Sequence, residues 1–516
     1  MDVDKILTQI GGFGYFQKRL AIILGTVIFI LTFQPLVVVF IGADPSWKCK
    51  DEAASCELNG TFSLGDKNYN DRCTMNRTDW TYTDEFTSIV TEWDLVCGRE
   101  ALASLAQSIL FIGWIPGAFL IGRLSDKFGR TRVLFPAVSA VAIAAFVTSF
   151  VHDLWLFLLL RAIIGFFQGG VFIVLFVLST EFVGPDHRSL AGTLNWIFFA
   201  LSLMVLDGMA YGIRNWRHLS IAVSAPALPL IILWWWVPES CRWNLLHNNE
   251  IKAKNTFKMI AELNGKQLNS DKLNIGSEEK DHDEAGEILD LFRPKRQLLK
   301  TLVMWFAWFT NSMVYYGVTL SAGALGGSLY LNFFLTTLVE FPANIFAIWF
   351  MNLHAKSFGL YGRKRALSFG LVLASLFCVL VSAIPQSEDT GYQAIRITGA
   401  VLGKFCISIS FCTIYVASAE ILPTVIRNVG MGSMAVFDQF GASMAPFVIL
   451  LNTTHPVLPF GLMGLCALIA GLSSLTLLPE TLGQQTLETL ADRDKKDEQL
   501  YDHSVAINQN KEESKL

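Results

Sequence analysis

Apolar residues in this chain come in long, nearly uninterrupted runs, and polar residues are confined to the gaps between them. A helix needs roughly 20 apolar residues to cross a bilayer. Twelve runs meet that need: 20–42, 101–121, 133–151, 154–178, 190–212 and 216–237, then, after a polar gap, 301–321, 328–353, 366–384, 394–418, 426–450 and 457–478. They are numbered here as spans 1 to 12. The pattern predicts an all-α membrane protein with 12 transmembrane helices. Span 1 has the position of a signal peptide, but it is too long for an h-region and has no small-residue cleavage site after it. It is read as a retained anchor.

The gaps divide the chain further. The halves are expected at 1–237 and 301–480, with a large loop at 43–100 inside the first. Between them lies a charged linker, 238–300, with helix-like stretches near 250–263 and 284–292. A charged tail, 481–516, has the composition of a disordered segment. Lys and Arg set the orientation. Arg123, Lys127, Arg130 and Arg132 crowd the gap after span 2, and Lys356, Arg363, Lys364 and Arg365 the gap after span 8. Both termini are therefore expected in the cytoplasm.

The cysteines point the same way. Of nine, Cys49, Cys56, Cys73 and Cys97 lie in the loop 43–100, beside the sequons at Asn59 and Asn76. An even set of cysteines with sequons predicts an oxidised, extracellular loop with two disulfides in one of three pairings. A third sequon, Asn452, lies close to the membrane.

Composition agrees and excludes other classes. The 516 residues are 52% hydrophobic and only 16% charged, with mean hydropathy +0.44. A soluble enzyme would carry about 25% charge. The net charge of −4 gives no basic field for nucleic acid. Histidines show no metal-ligand spacing, and there is no glycine-rich phosphate loop, so no metal, cofactor or ATP drive is expected. Nor do any residues form the paired acid and base of a membrane enzyme.

The halves repeat each other. Gly129-Arg130-Thr131-Arg132 matches Gly362-Arg363-Lys364-Arg365. Ser179-Thr180-Glu181, with Arg188 seven residues past the Glu, matches Ser418-Ala419-Glu420 with Arg427. Pro238-Glu239-Ser240 matches Pro479-Glu480-Thr481. Three markers in one order, at a nearly constant offset and on one membrane side, predict two parallel six-helix repeats.

The stretch from Gly122 to Arg132 resembles the signature loop of the major facilitator superfamily. Added to it are the cysteine and sequon loop, Thr91-Glu-Trp-Asp-Leu-Val-Cys97, Ser179-Thr-Glu-Phe-Val-Gly184, Pro238-Glu-Ser240, Tyr315-Tyr-Gly317 and Glu420-Ile-Leu-Pro-Thr-Val-Ile-Arg427. Together these resemble solute carrier family 22, the organic cation, organic anion and carnitine transporters, over residues 10 to 481. Leu320–Ser328 and Leu422–Gly430 look most like the zwitterion-handling branch.

The resemblance implies a major facilitator fold, with no enzymatic activity, and a monomeric plasma-membrane secondary transporter of small organic ions working by alternating access. Zwitterions and organic cations are favoured. An organic anion exchanger, a sugar or polyol porter and a non-transporting relative are the alternatives. A sugar porter would be expected to show a Gln-rich span 7.

Charges inside apolar spans are costly and read as functional. They are Arg161, Asp207, Glu340, Lys404 and Asp438. A pairing of Lys404 with Asp438 or with Glu340 would be purely structural. Otherwise Asp438 or Glu340 near Lys404 would suit a zwitterion. In the resembling family a position seven before the span 11 proline separates cation from anion carriers. Here it is the neutral Gln439, with Asp438 about 100° round the helix. Cations dock on ring faces. In span 7, Trp308, Asn311 and Tyr315 share one helical face, and Ser312 and Tyr316 lie on another. The resemblance adds Phe172, Phe411 and Tyr415. The charges at the cytoplasmic helix ends, Asp126, Arg130, Glu181 and Arg188 with Arg363, Glu420 and Arg427, are expected to form a gate. No acid in 355–362 matches Asp126, which predicts an asymmetric gate.

Overall fold

The computed structural model describes residues 3–51, 56, 58–64, 66, 68–184, 187–268, 288–351, 362–386 and 389–482. Lys356 and the rest of 355–361, linker residues 284–287, Pro185 and the tail from 483 lie outside them.

Among the described residues, eleven helices are long and apolar enough to cross a membrane. They coincide with every expected span except span 7. That span is also helical, as Lys295–Leu320, but is less apolar because it carries Asn311, Ser312, Tyr315 and Tyr316. The less apolar helix is thus the one richest in candidate site residues.

Three spans are broken where proline removes a backbone donor. Span 1 runs from Tyr15 to Ile41 with interruptions at Thr32 and Val37. Pro35 cannot donate to the Leu31 carbonyl, and Gln168 on span 4 does so instead, at 2.7 Å. Arg161, two turns earlier on the same face of span 4, donates to the Gln34 carbonyl at 2.9 Å. Span 6 continues from Trp216–Ser224 into 3-10 turns through Pro226 and Pro229 to Trp236. Span 8 divides into Leu329–Leu338 and Glu340–Met351 ahead of Pro342.

One expected loop is helical instead. Span 2 extends through Phe128, so the signature stretch Gly122–Lys127 forms its last turns. Arg123 and Asp126 stay at the exposed tip. The reversal to span 3 is made by Gly129 alone, at φ 113°, and its counterpart before span 9 is Gly362, at φ 96°.

Each half has its own apolar core. Spans 2 and 4 approach closely through glycine, since a Cβ on Gly117 would strike the Phe166 carbonyl and one on Gly165 the Leu110 carbonyl. A third core lies at the end bearing the cysteines. There the loop forms a three-stranded antiparallel sheet from Trp47–Cys49, Thr61–Phe62 and Trp80–Tyr82. Disulfides join Cys49 to Cys56 and Cys73 to Cys97. Buried Arg72 bonds Asp44 at 2.6 Å, and Tyr69 donates to the same carboxylate at 2.5 Å. Burial, then Asp44, raises the Tyr69 phenol above its ordinary value. Asn59 and Asn76 are exposed. The linker helix Glu250–Leu263 forms as expected, and only a short turn, Ile288–Leu291, is described in the second helix-like stretch.

The halves meet at the cysteine end. Phe40 of span 1 packs on Tyr330 and Phe333 of span 8, with centroids at 5.7 and 4.9 Å. Tyr211 of span 5 meets Tyr330 at 5.6 Å, and the Arg214 guanidinium caps the same ring at 4.5 Å. Ala442 of span 11 is buried in the first half's core.

Candidate functional site

Five of the six aromatic candidates form one connected group. Trp308 meets Tyr415 at 4.4 Å and Phe411 at 6.2 Å. Tyr315 meets Tyr316 at 5.2 Å and Phe411 at 5.4 Å, and Phe411 lies 5.8 Å from Tyr415. Spans 7 and 10 supply all five. Helical spacing explains why: 308 and 315 are two turns apart, as 411 and 415 are one, so both pairs face the partner helix. Trp308 is fixed by donating its indole N–H to Ser418 at 2.9 Å. Phe172 is elsewhere, against Trp114 at 5.1 Å in the first half.

The first half closes over this group with residues that sequence reasoning missed. Phe111 of span 2 lies 4.8 Å from Tyr316, and Trp196 of span 5 lies 5.8 Å from Tyr415. Tyr316 packs against the apolar cores of both halves and against the one at the cysteine end. No motif marks Phe111 or Trp196; their role depends on how the halves dock.

The charges separate into one neutral pair and one free acid. Lys404 pairs with Glu340, Nζ to Oε1 at 3.1 Å, and both are buried. Lys404 also donates to Thr319 Oγ1 at 2.6 Å and to the Tyr315 carbonyl at 3.3 Å. Tyr315 donates its hydroxyl to Glu340 at 2.7 Å, and its ring lies 3.1 Å from the ammonium. The pairing of Lys404 is therefore with Glu340 and not with Asp438.

Asp438 is buried and faces the aromatic group, with Tyr316 and Tyr415 within electrostatic reach and Ser312 beside it on span 7. Gln439 donates to its Oδ2 at 2.8 Å, while Oδ1 has no hydrogen-bond partner. No ion pair to it occurs among the described residues. Asn311 turns its amide back to the Ala307 carbonyl at 2.8 Å. The arrangement is thus a ring-lined site containing one buried acid, Asp438, that has no counter-ion among the described residues.

The gate candidates gather at the other end of the bundle. Arg130 bonds Asp126 and reaches Glu181 at 3.4 Å. Arg363 reaches Glu420 at 3.2 Å. These pairs each join groups of one half, because spans 3 and 9 start beside the ends of spans 4 and 10 in the same bundle. Arg188 pairs with Asp4 at 2.5 Å, a partner also held by Arg242. Arg427 donates to the Leu422 carbonyl at 3.4 Å. Arg130–Glu181 and Arg363–Glu420 are thus equivalent pairs of the two repeats, whereas Glu181 with Arg188 and Glu420 with Arg427, the spacing matched in the sequence, form no ion pair among the described residues.

Two further members were visible as repeat markers but not as gate residues. Glu239 accepts from the Arg130 backbone N–H at 2.8 Å and the Thr131 hydroxyl at 2.8 Å. Glu480 accepts from the Arg363 backbone N–H at 2.8 Å. Each carboxylate caps the N-terminus of span 3 or 9, where free N–H groups and the helix dipole favour an anion. Each also lies where a side chain on Gly129 or Gly362 would have to stand.

The chain is similar to known transporters. The family pattern described as "Sugar (and other) transporter" matches residues 58–491. The chain is 32% identical to the "Organic cation transporter-like protein" of Drosophila melanogaster, over 95% of this chain and 92% of that protein. It is 32% identical to "Solute carrier family 22 member 13" of Homo sapiens, over 95% and 92%. "Solute carrier family 22 member 15" of Xenopus tropicalis shows 32% identity over 95% and 91%. Among solved structures, the partially occluded inward-open xylose transporter XylE of E. coli is similar with a TM-score of 0.64. Its identity is 14%, over 91% of this chain and 99% of that chain, a likeness of fold.

Proposed function

The chain belongs to solute carrier family 22, whose members are secondary transporters in the major facilitator superfamily, and from that premise we propose that it carries small organic cations across the plasma membrane by alternating access. In this reading both termini are cytoplasmic, the disulfide-linked loop is extracellular and glycosylated at Asn59 and Asn76, and the monomer is the working unit. The chain then faces inward, with its halves closed at the extracellular end by Phe40, Tyr211, Tyr330 and Phe333.

The observation that carries the substrate class is Asp438. Its carboxylate is buried, keeps one oxygen unpartnered and faces aromatic rings. Carboxylate and ring faces together favour a cation. Lys404 is already neutralised by Glu340, so the site's net charge opposes organic anions. Zwitterions form the second class: a substrate carboxylate that takes Glu340's place on Lys404 and Thr319 would put one pole at each charge. Binding has to stabilise the occluded arrangement for the halves to rock.

The test is competition uptake in expressing cells with tetraethylammonium, carnitine, ergothioneine and an aromatic carboxylate, with and without sodium. Asp438→Asn should lower tetraethylammonium uptake by about tenfold or more, the effect of one lost charge contact. Aromatic carboxylate uptake should not fall. Unchanged cation uptake with normal surface expression would refute the assignment.

A further inference from the structure

Asp207 is an acid that neither the aromatic site nor the arginine-rich gate uses. It lies on span 5, one turn before Tyr211 and two before Arg214. Those two residues press on Tyr330 of the opposite half, and Asp207 is within electrostatic reach of the same tyrosine. Its face of span 5 is therefore part of the closure at the cysteine end.

Asp207 is 7% exposed, and its Oδ1 has no hydrogen-bond partner. Leu203, Leu206 and Ala210 around it are buried and apolar. None of the charged groups on the surrounding elements forms an ion pair with Asp207 among the described residues. Arg214, just past the end of the same helix, lies over Tyr211 and Tyr330. On span 4, Arg161 donates to the Gln34 carbonyl. On span 6, Arg217 is bound to Glu92, with His218 next to it. On span 8, Glu340 is paired with Lys404. Glu85 in the loop acts on Tyr330 from outside. The ionisable side chains of span 1, Tyr15, Lys18 and Arg19, lie at its far end.

An ionised carboxylate buried with an unpartnered oxygen and no counter-ion is costly, and protonation removes that cost. A hard metal cation would need about six oxygen ligands, where this face offers leucine, alanine and tyrosine.

We propose that Asp207 is a proton-binding site of the cysteine-end gate. A carboxylate oxygen takes a proton from external water as the halves close there, and the O–H bond breaks to return that proton as they open. The closed state then binds one proton more than the open state, so acid outside favours closure and alkali favours opening. This rests on the alternating-access reading. The measurement that tests it contains no substrate, so an error in the substrate class would leave it standing.

The test uses the full chain in nanodiscs, spin-labelled on cysteines introduced at Asp84 and Ala394. These are exposed positions of the two halves at that end. A chain without the two added cysteines serves as background. Between pH 5.5 and 8.5 the native distance distribution should move from one short population to a mixture with a longer one. The open-to-closed ratio should rise by at most about tenfold per pH unit, the limit for one proton. Asp207→Asn, which imitates the protonated acid, should keep the short population throughout. Asp207→Glu should restore the pH response. A native distribution that ignores pH, or an Asn variant that still moves with it, would overturn the proposal.

Discussion

Lys404 and Glu340 are buried against each other at 3.1 Å, with Thr319 accepting from the ammonium and Tyr315 donating to the same carboxylate oxygen. Removing one partner of such a pair typically costs 3–5 kcal/mol, because the other is left charged and buried. Glu340→Gln should therefore lower thermal stability in detergent markedly, while Glu340→Gln with Lys404→Met recovers most of the loss. A melting series on purified protein checks both. In cells, surviving Glu340→Gln transporter should shift its preference from tetraethylammonium towards carnitine. An unchanged ratio would show that Lys404 does not meet substrate.

Trp308 and Tyr415 test the ring-lined site. Trp308→Phe keeps a ring but loses the 2.9 Å bond to Ser418. Tyr415→Ala removes a ring that touches both Trp308 and Trp196. A desolvated cation–ring contact contributes about 2 kcal/mol. Tyr415→Ala should weaken cation affinity by about thirtyfold, and Trp308→Phe by much less. Transport kinetics resolved into KM and kcat separate the two.

Glu239 and Glu480 occupy equivalent places in the two repeats, each on the backbone of the arginine that opens span 3 or span 9. Replacing a helix-capping side chain costs about 1 kcal/mol, and the loss of a charge at the helix N-terminus adds to it. Glu239→Gln and Glu480→Gln should each reduce stability modestly and slow transport, with nearly additive effects because they lie in different halves. Strong non-additivity in the double variant would show that the two ends communicate through the gate.

The loop 43–100 makes a covalent prediction. The Cys73–Cys97 bridge closes a separation of 24 residues, and loops of that size gain about 3 kcal/mol from closure. Cys73→Ser with Cys97→Ser should unfold the loop and reduce surface delivery. Asn59→Gln and Asn76→Gln should each lower the apparent mass by one glycan, and enzymatic deglycosylation of the native chain should abolish that difference.

Spans and repeats were legible because their signals are local: runs of apolar residues and motifs that recur in order. Tyr315, Tyr316, Phe411 and Tyr415 entered through the family resemblance, and the structure brings these rings together. The partners of the charges were not legible. Glu181 recurs at a fixed distance from Arg188, yet it takes Arg130 while Arg188 takes Asp4. Such choices are made between helices distant in sequence. Lys404 shows the same limit. Two acids were available on neighbouring spans, and only the break at Val339, ahead of Pro342, brings Glu340 to it. Phe111 and Trp196 carry no signal in the chain and acquire their role only when the halves dock.

The two ends of the bundle are held by different forces. The cysteine end is closed by rings and aliphatic side chains packed across the halves, whereas the far end is organised by carboxylates and guanidinium groups. Apolar association weakens on cooling, and interactions among exposed charges weaken as salt is added. Cold and ionic strength therefore act on different things: cooling loosens the aromatic closure between the halves and shifts the balance of their closed and open states, whereas salt acts on ion pairs that lie within single halves.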